Sequence, residues 1–293
     1  MNKKLFKGVY SAIFSAYDEK MNAKKDTMHK LVDFQTKNGI AGFYVGGNTG
    51  ECSILPNKTR MDVLEAVMEE NKSGKIIAHI GAGHFDDTCQ LLEHANSCNV
   101  DAVASLPPSL TGYYNDEEAL EYYKYLAKHS NSPVIAYITS VYRGNIVELA
   151  KKLSAVENII GIKLTIPDYF VHERINTICG DLNILNGPDE CLLCGLITGA
   201  DGGIGTSYNI APKTVSNLYK EFIQGNISKA YENQHELNNL IAKIQSTGSG
   251  MVYWKAFMAA RGFDMGYTAF PASTIPKEKI EEIQKYMDEN PQL

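Results

Sequence analysis

The feature that most constrains the fold of this chain is a regular alternation of short apolar runs with longer amphipathic stretches. Most of the runs are rich in Val, Ile and Ala without polar alternation, which is typical of parallel strands buried on both faces. Repeated eight times, the pattern predicts an α/β fold, a (β/α)8 TIM barrel, although it leaves a doubly wound sheet open. The runs are Gly8–Ile13, Gly42–Val45, Ile76–Ile80, Ala102–Leu106, Val134–Ile138, Ile159–Leu164, Asn183–Leu185 and Gly202–Gly205.

The stretches between these runs carry apolar residues at spacings of three and four, which predicts amphipathic helices. Asp116 and Asp168 follow loops and are expected to cap two of the helices at their N-termini. The clearest of the helical stretches are Lys58–Asn71, Asp87–Ser97 and Glu117–Lys128.

No strand signal follows the eighth run. We therefore expect the barrel in residues 1–225 and additional C-terminal helices in residues 226–293, packed on the barrel as a single structural unit. No linker or charge block marks a boundary between the two parts. Four amphipathic stretches follow the eighth run. The first, Pro212–Gln224, completes the barrel, and the others are Ser228–Gln245, Met251–Ala260 and Lys277–Asp288.

The net charge of -6 gives the chain no attraction to nucleic-acid phosphates or to an anionic membrane, so neither is an expected partner. No stretch is long and apolar enough to span a bilayer. The N-terminal MNKKLFKGVYSAIF lacks the longer apolar region and cleavage site of a signal peptide, and we interpret it as a first strand. We therefore expect a cytoplasmic protein.

The cysteines and histidines show no pattern typical of a metal site. The six cysteines are scattered, as reduced thiols are in cytosolic proteins. Cys191 and Cys194 have the spacing of a redox or zinc half-site, but their neighbours are apolar and favour a core helix. Tyr253 and Trp254 lie on an apolar helix and are interpreted as packing residues. No role is predicted for any of the seven histidines: His29, His79, His84, His94, His129, His172 and His235.

In a barrel of this type, the functional residues lie at the carboxyl ends of the strands. The second run is followed by Gly-Gly-Asn-Thr-Gly-Glu, which contains Gly47, Asn48 and Thr49. Glycine lets the backbone approach a ligand closely, and its amides can hold an anion. A small carboxylate or phosphate would suit this loop, and a tight strand-to-helix turn is the alternative interpretation.

Lys163 lies near the end of the sixth run, within Ile159–Thr165, and Tyr137 lies at the end of the fifth. A lysine with an ordinary pKa of ~10.4 is neutral in only about one molecule in 2,500 at pH 7. Burial disfavours the charged form and makes the amine a nucleophile toward carbonyls. Gly161 is expected to clear space beside this lysine, and a neighbouring tyrosine could relay protons. The alternative is a lysine that reaches from the strand end to solvent.

Polar residues also follow the seventh and eighth runs. Asp189 and Glu190 lie in Asn-Gly-Pro-Asp-Glu, and Thr206 lies in Gly-Ala-Asp-Gly-Gly-Ile-Gly-Thr-Ser-Tyr-Asn. Paired carboxylates at a barrel mouth suit hydrogen bonding to a polyhydroxylated substrate. The alternative is that the two acids only begin a helix, where acidic residues are favoured.

Together these motifs resemble the N-acetylneuraminate lyase and dihydrodipicolinate synthase family of pyruvate-dependent class I aldolases. The resemblance extends from about Phe6 to Gly266, and the second half of the chain is most similar to the lyase branch. It implies that Lys163 forms the Schiff base and that Tyr137 is the proton relay. It also implies a homotetramer. The implied substrate-binding residues are Gly47, Asn48, Thr49, Thr165, Gly187, Asp189, Glu190 and Thr206.

This chain departs from the family pattern at several positions. Asn48 stands where the lyases usually have serine, and Ser140 belongs to a segment that lacks the family's usual proline. Tyr142 occupies the position of the arginine with which the synthase branch binds its second substrate, and Arg143 is one residue later. The family's inter-subunit tyrosine matches Tyr113 or Tyr114.

The resemblance implies an aldolase that cleaves N-acetylneuraminate to pyruvate and N-acetylmannosamine. Two alternatives keep the chemistry and change the substrate: cleavage of another 2-keto-3-deoxy sugar acid, or dihydrodipicolinate synthesis. A third alternative is a sugar-acid or pyruvate sensor without turnover. The expected partner is a small-molecule substrate, and no cofactor or metal is expected, because the iminium performs the task of a Lewis acid.

Overall fold

The computed structural model describes residues 4–107, 114–272 and 274–293. Within these residues, eight parallel strands close into one barrel in sequence order, with the last strand paired to the first. The doubly wound alternative is therefore excluded. The strands are β1 Gly8–Ala12, β2 Gly42–Val45, β3 Lys75–His79, β4 Ala102–Ser105, β5 Val134–Thr139, β6 Ile159–Thr165, β7 Asn183–Asn186 and β8 Gly202–Gly205.

The helices surround the barrel and continue past it at the C-terminal end of the chain. Each helical stretch named above is present, with its ends shifted by no more than two residues. The helices are α1 Lys25–Lys37, α2 Asn57–Glu70, α3 Phe85–Cys98, α4 Asp116–His129, α5 Ile146–Ser154, α6 Tyr169–Ile178, α7 Leu192–Ile197, α8 Pro212–Ile223, α9 Ile227–Thr247, α10 Met251–Ala260 and α11 Lys277–Glu289. In the part of the chain that the structure describes, no helix is long and apolar enough to cross a membrane.

Two apolar layers lie on the two faces of the strands. The larger layer packs between the strands and the helices. The smaller layer comes from alternate strand positions and fills the barrel interior, where Tyr10, Ile135 and Ile204 are almost completely buried. Because both faces are covered, the strand sequences are mostly apolar, with polar exceptions such as His79 and Lys163.

An irregularity between β5 and β6 sets the register of the two strands. Val134 pairs with Ile159, but the next residue, Ile135, pairs with Gly161, so that β6 has one extra residue at this point. Beyond this bulge Tyr137 lies directly opposite Lys163. Because a shift of one residue moves every side chain to the other face of a strand, the bulge brings these two side chains to the same side.

Two local predictions need correction, one about the N-cap of α4 and one about the role of Gly161 in β6. Asp116 is not an N-cap: Asn115 caps α4 in a capping box with Glu118, and Asp116 is the first helical residue. Asp168 caps α6, as predicted. Gly161 does not clear space for the lysine. A Cβ at this position would lie 2.7 Å from the carbonyl oxygen of Asn183, so the glycine allows β7 to pack closely against β6.

The fold also shows the environment of the cysteine pair, Cys191 and Cys194. The six cysteines, all of which lie in the described residues, form no disulfide with one another. Cys191 ends a short 3-10 helix and Cys194 is exposed on α7. The leucines of α7 are buried, as the prediction of a core helix required, but Ile197 is 61% exposed at the end of the helix. The described residues hold no group of three His, Cys, Asp or Glu side chains arranged to bind a metal.

A buried ion pair attaches the C-terminal helices to the barrel. Lys255 of α10 places Nζ 2.5 Å from Oε1 of Glu51, and both side chains are at most 4% exposed. Glu51 has a positive φ of 60° and also accepts a hydrogen bond of 2.7 Å from Tyr17 Oη. Burial lowers the pKa of Lys255, and Glu51 opposes this shift. The pair therefore fixes the end of the Gly-rich loop to α10.

Helix α9 makes a second connection to the barrel. Gln234 accepts a hydrogen bond from the backbone N–H of Leu193 at 2.9 Å and donates one to the carbonyl oxygen of Asp189 at 3.1 Å. The loop after β7 is thus bonded directly to the C-terminal helices. We propose that residues 226–293 and the barrel unfold as one unit.

We predict that Lys255→Met destabilises the protein by about 3–5 kcal/mol, because Glu51 is left buried without its cation. Chemical denaturation followed by circular dichroism measures this change and also tests for a single transition. Lys243→Met is the matched control. It breaks the more exposed Lys243–Glu282 pair, whose side chains are 25% and 36% exposed, and should cost less than about 1 kcal/mol. Equal effects of the two substitutions would contradict the proposed role of the buried pair.

Candidate active site

The carboxyl ends of the strands bring Lys163 and Tyr137 together inside the barrel mouth. Lys163 is 6% exposed and Tyr137 is 4% exposed. The Lys163 Nζ atom lies 4.2 Å from the centroid of the Tyr137 ring. In the described residues, no carboxylate lies within ion-pair distance of this Nζ. The amine is therefore held inside the protein, and the alternative of a lysine extended into solvent is wrong.

Two further residues complete the surroundings of the amine, and the sequence interpretation missed both. The Tyr44 ring centroid also lies 4.2 Å from Lys163 Nζ. Tyr44 Oη lies 2.8 Å from Nδ1 of His79, which is 4% exposed. Tyr44 comes from β2, and His79 is the last residue of β3. Alternation along a strand assigns each of these side chains to one of two faces, but in an apolar strand it does not tell which face is the interior.

The electrostatics of these two side chains favour their neutral forms. Burial raises the pKa of Tyr44 well above its usual value, so the phenol keeps its proton. Burial also lowers the pKa of His79 well below its usual value, and the charges of Arg60 and Lys163 act in the same direction. Neutral His79 can therefore accept the Tyr44 hydrogen bond at Nδ1.

Arg60 of α2 lies beneath the Gly-rich loop. It is 4% exposed, and its guanidinium donates to the carbonyl oxygens of Gly46 at 3.3 Å and His79 at 2.9 Å. Burial lowers its pKa. Arg60 thus joins the carboxyl ends of β2 and β3 and places a positive charge below the loop that is predicted to bind a carboxylate.

The Gly-rich loop faces the mouth and contacts the loop after β8. Thr49 Oγ1 lies 2.6 Å from Thr206 Oγ1. Asn48 is exposed toward the mouth, and its Oδ1 accepts a weak hydrogen bond of 3.3 Å from Cys52 Sγ. A Cβ on Gly47 would lie 2.5 Å from the Tyr44 ring, so glycine is required for the loop to pack on this ring. These contacts connect Gly47 to the ring that faces the amine and Thr49 to the loop after β8.

The remaining predicted residues line a cavity of about 300 Å³ on the other side of the mouth. Its wall also includes residues of α9 and α10 that the sequence interpretation missed. Trp254, interpreted as a packing residue, packs against the core and lines this cavity as well. The lining residues are Thr165, Pro167, Gly187, Pro188, Asp189, Glu190, Thr206, Ile241, Gln245 and Trp254.

Asp189 is the most buried carboxylate of the cavity wall. Its Oδ2 accepts hydrogen bonds of 2.6 Å from both the backbone N–H and the hydroxyl of Ser207. Burial raises the pKa of Asp189 to about 6, although the bonds to Ser207 oppose this shift. Asp189 also begins a short 3-10 helix. Asp189 therefore starts a helix and also lines the cavity, and its hydrogen bonding to a substrate stays a prediction.

Thr165 and Gly187 lie where the amine and the cavity meet. Thr165 Oγ1 donates a hydrogen bond of 3.3 Å to Tyr137 Oη. A Cβ on Gly187 would lie 2.0 Å from Thr165 Oγ1, so glycine leaves room for that hydroxyl. Thr165 therefore links the phenol to the wall of the cavity.

Ser140, Tyr142 and Arg143, three of the positions where this chain departs from the family pattern, lie in the loop after β5. Tyr142 Oη donates a hydrogen bond to Asp116, which fixes this ring against α4. Ser140 and Arg143 are exposed.

Tyr114 is 40% exposed, and Tyr113 lies outside the described residues. His84, which follows β3, is also exposed, with 73% of its side chain accessible.

Comparison with known proteins decides the family. Residues 5–290 match the dihydrodipicolinate synthetase family. The chain belongs to this family. It is 32% identical over 245 residues to an N-acetylneuraminate lyase of Shigella boydii, which covers 83% of this chain and 82% of that protein.

Solved structures of family members have the same fold. The sialic acid aldolase of Ruminococcus gnavus has a TM-score of 0.90 at 26% identity, covering 99% of both chains. A catalytic-lysine mutant of that enzyme has a TM-score of 0.87 at 25% identity, covering 100% of this chain and 98% of that one. The resemblance inferred from the motifs is confirmed, as is the expectation of a TIM-barrel enzyme of the class I aldolase type.

The raised pKa of Asp189 predicts a pH dependence of stability. Between the ordinary value of 3.8 and about 6, the folded state holds a proton that the unfolded state releases. The contribution of this group to stability is therefore complete below pH ~3.8 and is lost as the pH rises through about 6. The unfolding free energy of Asp189→Asn, measured against wild type by urea denaturation, should gain about 1 kcal/mol relative to wild type from pH 5 to pH 7. Parallel pH profiles of the two proteins would contradict this assignment.

Proposed function

We propose that this family member cleaves N-acetylneuraminate to pyruvate and N-acetylmannosamine through a Schiff base on Lys163. The observation that carries the proposal is the position of the Lys163 amine. It is buried without a carboxylate partner in the described residues, beside Tyr137, and Thr165 connects the Tyr137 hydroxyl to the cavity wall. A keto acid with a hydroxylated chain fits this arrangement from end to end.

The first stage joins the enzyme and the substrate. The neutral Lys163 amine attacks the C2 ketone of the open-chain sugar to form a carbinolamine, and loss of water gives an iminium. The new C=N bond carries a positive charge on nitrogen. It can therefore accept the electron pair of the C3–C4 bond when that bond breaks.

The second stage breaks the carbon–carbon bond. The C4 hydroxyl loses its proton through Tyr137 Oη as C4 becomes the aldehyde carbon of the released sugar, and the C3–C4 electron pair moves into the iminium to form an enamine. Protonation at C3 and hydrolysis by one water molecule then release pyruvate and restore the amine. The 3.3 Å bond from Thr165 Oγ1 orients the phenol oxygen for this transfer.

The two sides of the mouth would bind the two ends of the substrate. Asn48, Thr49 and the backbone at Gly47 anchor the carboxylate, with the buried charge of Arg60 beneath them. Asp189, Glu190 and Thr206 accept and donate hydrogen bonds to the sugar hydroxyls, with the backbone at Gly187 and the Thr165 hydroxyl closer to the amine.

The resemblance also supports proposals for the assembly and location of the protein. We propose a homotetramer in the cytoplasm, with Tyr114 or Tyr113 as the tyrosine that crosses between subunits. Light scattering coupled to size-exclusion chromatography measures the mass directly, and a monomer or dimer at micromolar concentration would contradict the tetramer.

Borohydride reduction in the presence of pyruvate should trap a covalent adduct on Lys163, because it converts the iminium to a stable secondary amine. Peptide mass spectrometry locates the adduct. Lys255, which is equally buried but paired with Glu51, is the internal control and should remain unmodified. Lys163→Ala should abolish trapping and lower kcat by at least about a thousandfold. Trapping on any other lysine would overturn the mechanism.

A substrate panel tests the specificity part of the proposal. Pyruvate release from N-acetylneuraminate should exceed that from 2-keto-3-deoxygluconate by at least about tenfold in kcat/KM, because the shorter sugar acid leaves buried hydrogen-bonding groups unpaired. Pyruvate consumption with aspartate semialdehyde tests the synthase alternative in the same format. Trapped pyruvate without turnover of any of these substrates would instead identify a sensor.

A further inference from the structure

The amine of Lys163 lies in a corner formed by two aromatic rings. Its Nζ is 4.2 Å from the centroids of both Tyr44 and Tyr137. The two rings are nearly perpendicular, at 81°, with their centroids 6.2 Å apart. Tyr137 has a role in the mechanism above, whereas Tyr44 has none. A cation over the face of a tyrosine ring is attracted by the negative charge density of that face, and most strongly when water is excluded.

We propose that Tyr44 is a further catalytic residue, whose ring face stabilises the positive charge of the iminium that forms on Lys163. The inference rests on the proposed function, since it concerns an intermediate of that reaction. The reaction depends on this charge, because only the protonated C=N bond attracts the electron pair of the breaking carbon–carbon bond. A ring face that favours the charged form keeps the intermediate reactive at higher pH.

The same ring also stabilises the ammonium form of the free enzyme. Conversion of an ammonium and a ketone to an iminium and water leaves the charge unchanged, so Tyr44 shifts that equilibrium little. Its contribution appears where the iminium competes with the uncharged imine, which is the alkaline side of the pH range. The pH profile therefore separates this role from a general contribution to packing.

His79 is a positioning residue for Tyr44. The neutral imidazole accepts the Tyr44 hydroxyl at Nδ1, with a distance of 2.8 Å between the two heavy atoms. This bond fixes the position of the hydroxyl end of the ring, so that the ring stays beside the amine. A protonated His79 would place a second cation beside the iminium, and the buried charge of Arg60 opposes that protonation.

The other charged and titratable groups around the amine come from several elements. Tyr137 faces it from β5, and Asp189 follows β7, near enough for the lysine charge to act on its pKa. Cys52 follows the Gly-rich loop, and burial raises the pKa of its thiol although Lys163 and Arg60 oppose this shift. The Tyr44→Phe and Tyr44→Leu variants both retain all of these groups. A difference in the pH profile between the two variants therefore reports on the ring face.

The experiment compares Tyr44→Phe with Tyr44→Leu by the alkaline limb of kcat for N-acetylneuraminate cleavage. The phenylalanine variant keeps the ring face but loses the hydrogen bond to His79, so it should move the limb down by about 0.3 pH unit, as much as His79→Leu does. The leucine variant removes the face and should move the limb down by about one pH unit, equal to a tenfold loss of imine protonation. Circular dichroism and thermal unfolding check that both variants are folded.

A fluorination series at position 44 tests the proposal even if the leucine variant does not fold. Successive fluorine atoms on Phe at position 44 weaken the charge of the ring face at nearly constant shape, and the limb should move down stepwise. The same series at Tyr10→Phe is the matched control, because Tyr10 is 2% exposed in the barrel interior and does not contact the amine. An unmoved limb across the position-44 series, or equal shifts in the two series, would overturn the proposal.

A double-mutant comparison tests the positioning role of His79. His79→Leu in wild type should move the limb in the same direction as Tyr44→Leu, and His79→Gln, which retains an acceptor, should move it less. In the Tyr44→Phe background, His79→Leu should add nothing, because the hydrogen bond is already absent. An additional shift in that background would refute the coupling. Failure of the proposed function has a different signature: wild type would show no borohydride adduct on Lys163.

Discussion

The register between β5 and β6 is the constraint on which the active site depends. The extra residue of β6 at the start of this pair places Tyr137 opposite Lys163, with both side chains directed into the barrel mouth. Without the bulge, Tyr137 would lie opposite Ile162, whose side chain belongs to the outer layer. A single backbone irregularity at the start of the pair therefore determines which groups meet three residues further along β5.

Three buried cations in the described residues differ in their polar partners, although Lys255, like Lys163, also lies over a tyrosine ring. Lys255 pairs with a carboxylate, and Arg60 donates to two carbonyl oxygens. Lys163 has aromatic rings in place of either. The first two arrangements stabilise a permanent charge and hold loops in place. Ring faces attract a cation without forming a directed bond to it, so the Lys163 nitrogen stays available to bond to carbon.

The sequence was sufficient to predict the strands, because parallel strands buried on both faces leave a continuous apolar signal. It was also sufficient to predict that Lys163 and the loops at the strand ends lie together at the barrel mouth, because the architecture and the family motifs both indicate this. It was insufficient for Tyr44 and His79, because a tyrosine in an apolar strand looks the same whether it faces the barrel interior or the helices. The Glu51–Lys255 pair joins residues far apart in the chain, and no local pattern indicates such a contact.

The barrel mouth is built from two sets of elements, the strands and the C-terminal helices. This arrangement explains how one chemistry can serve different substrates. The amine and its rings come from the strands of the barrel, whose geometry is fixed by closure. The far wall of the cavity includes Ile241, Gln245 and Trp254, which come from the C-terminal helices. Those helices are attached through Lys255 to the end of the Gly-rich loop. Under the proposed function, substitutions on their inner face would change the sugar preference while the Lys163 site stays intact, because the two sets of residues lie on separate elements.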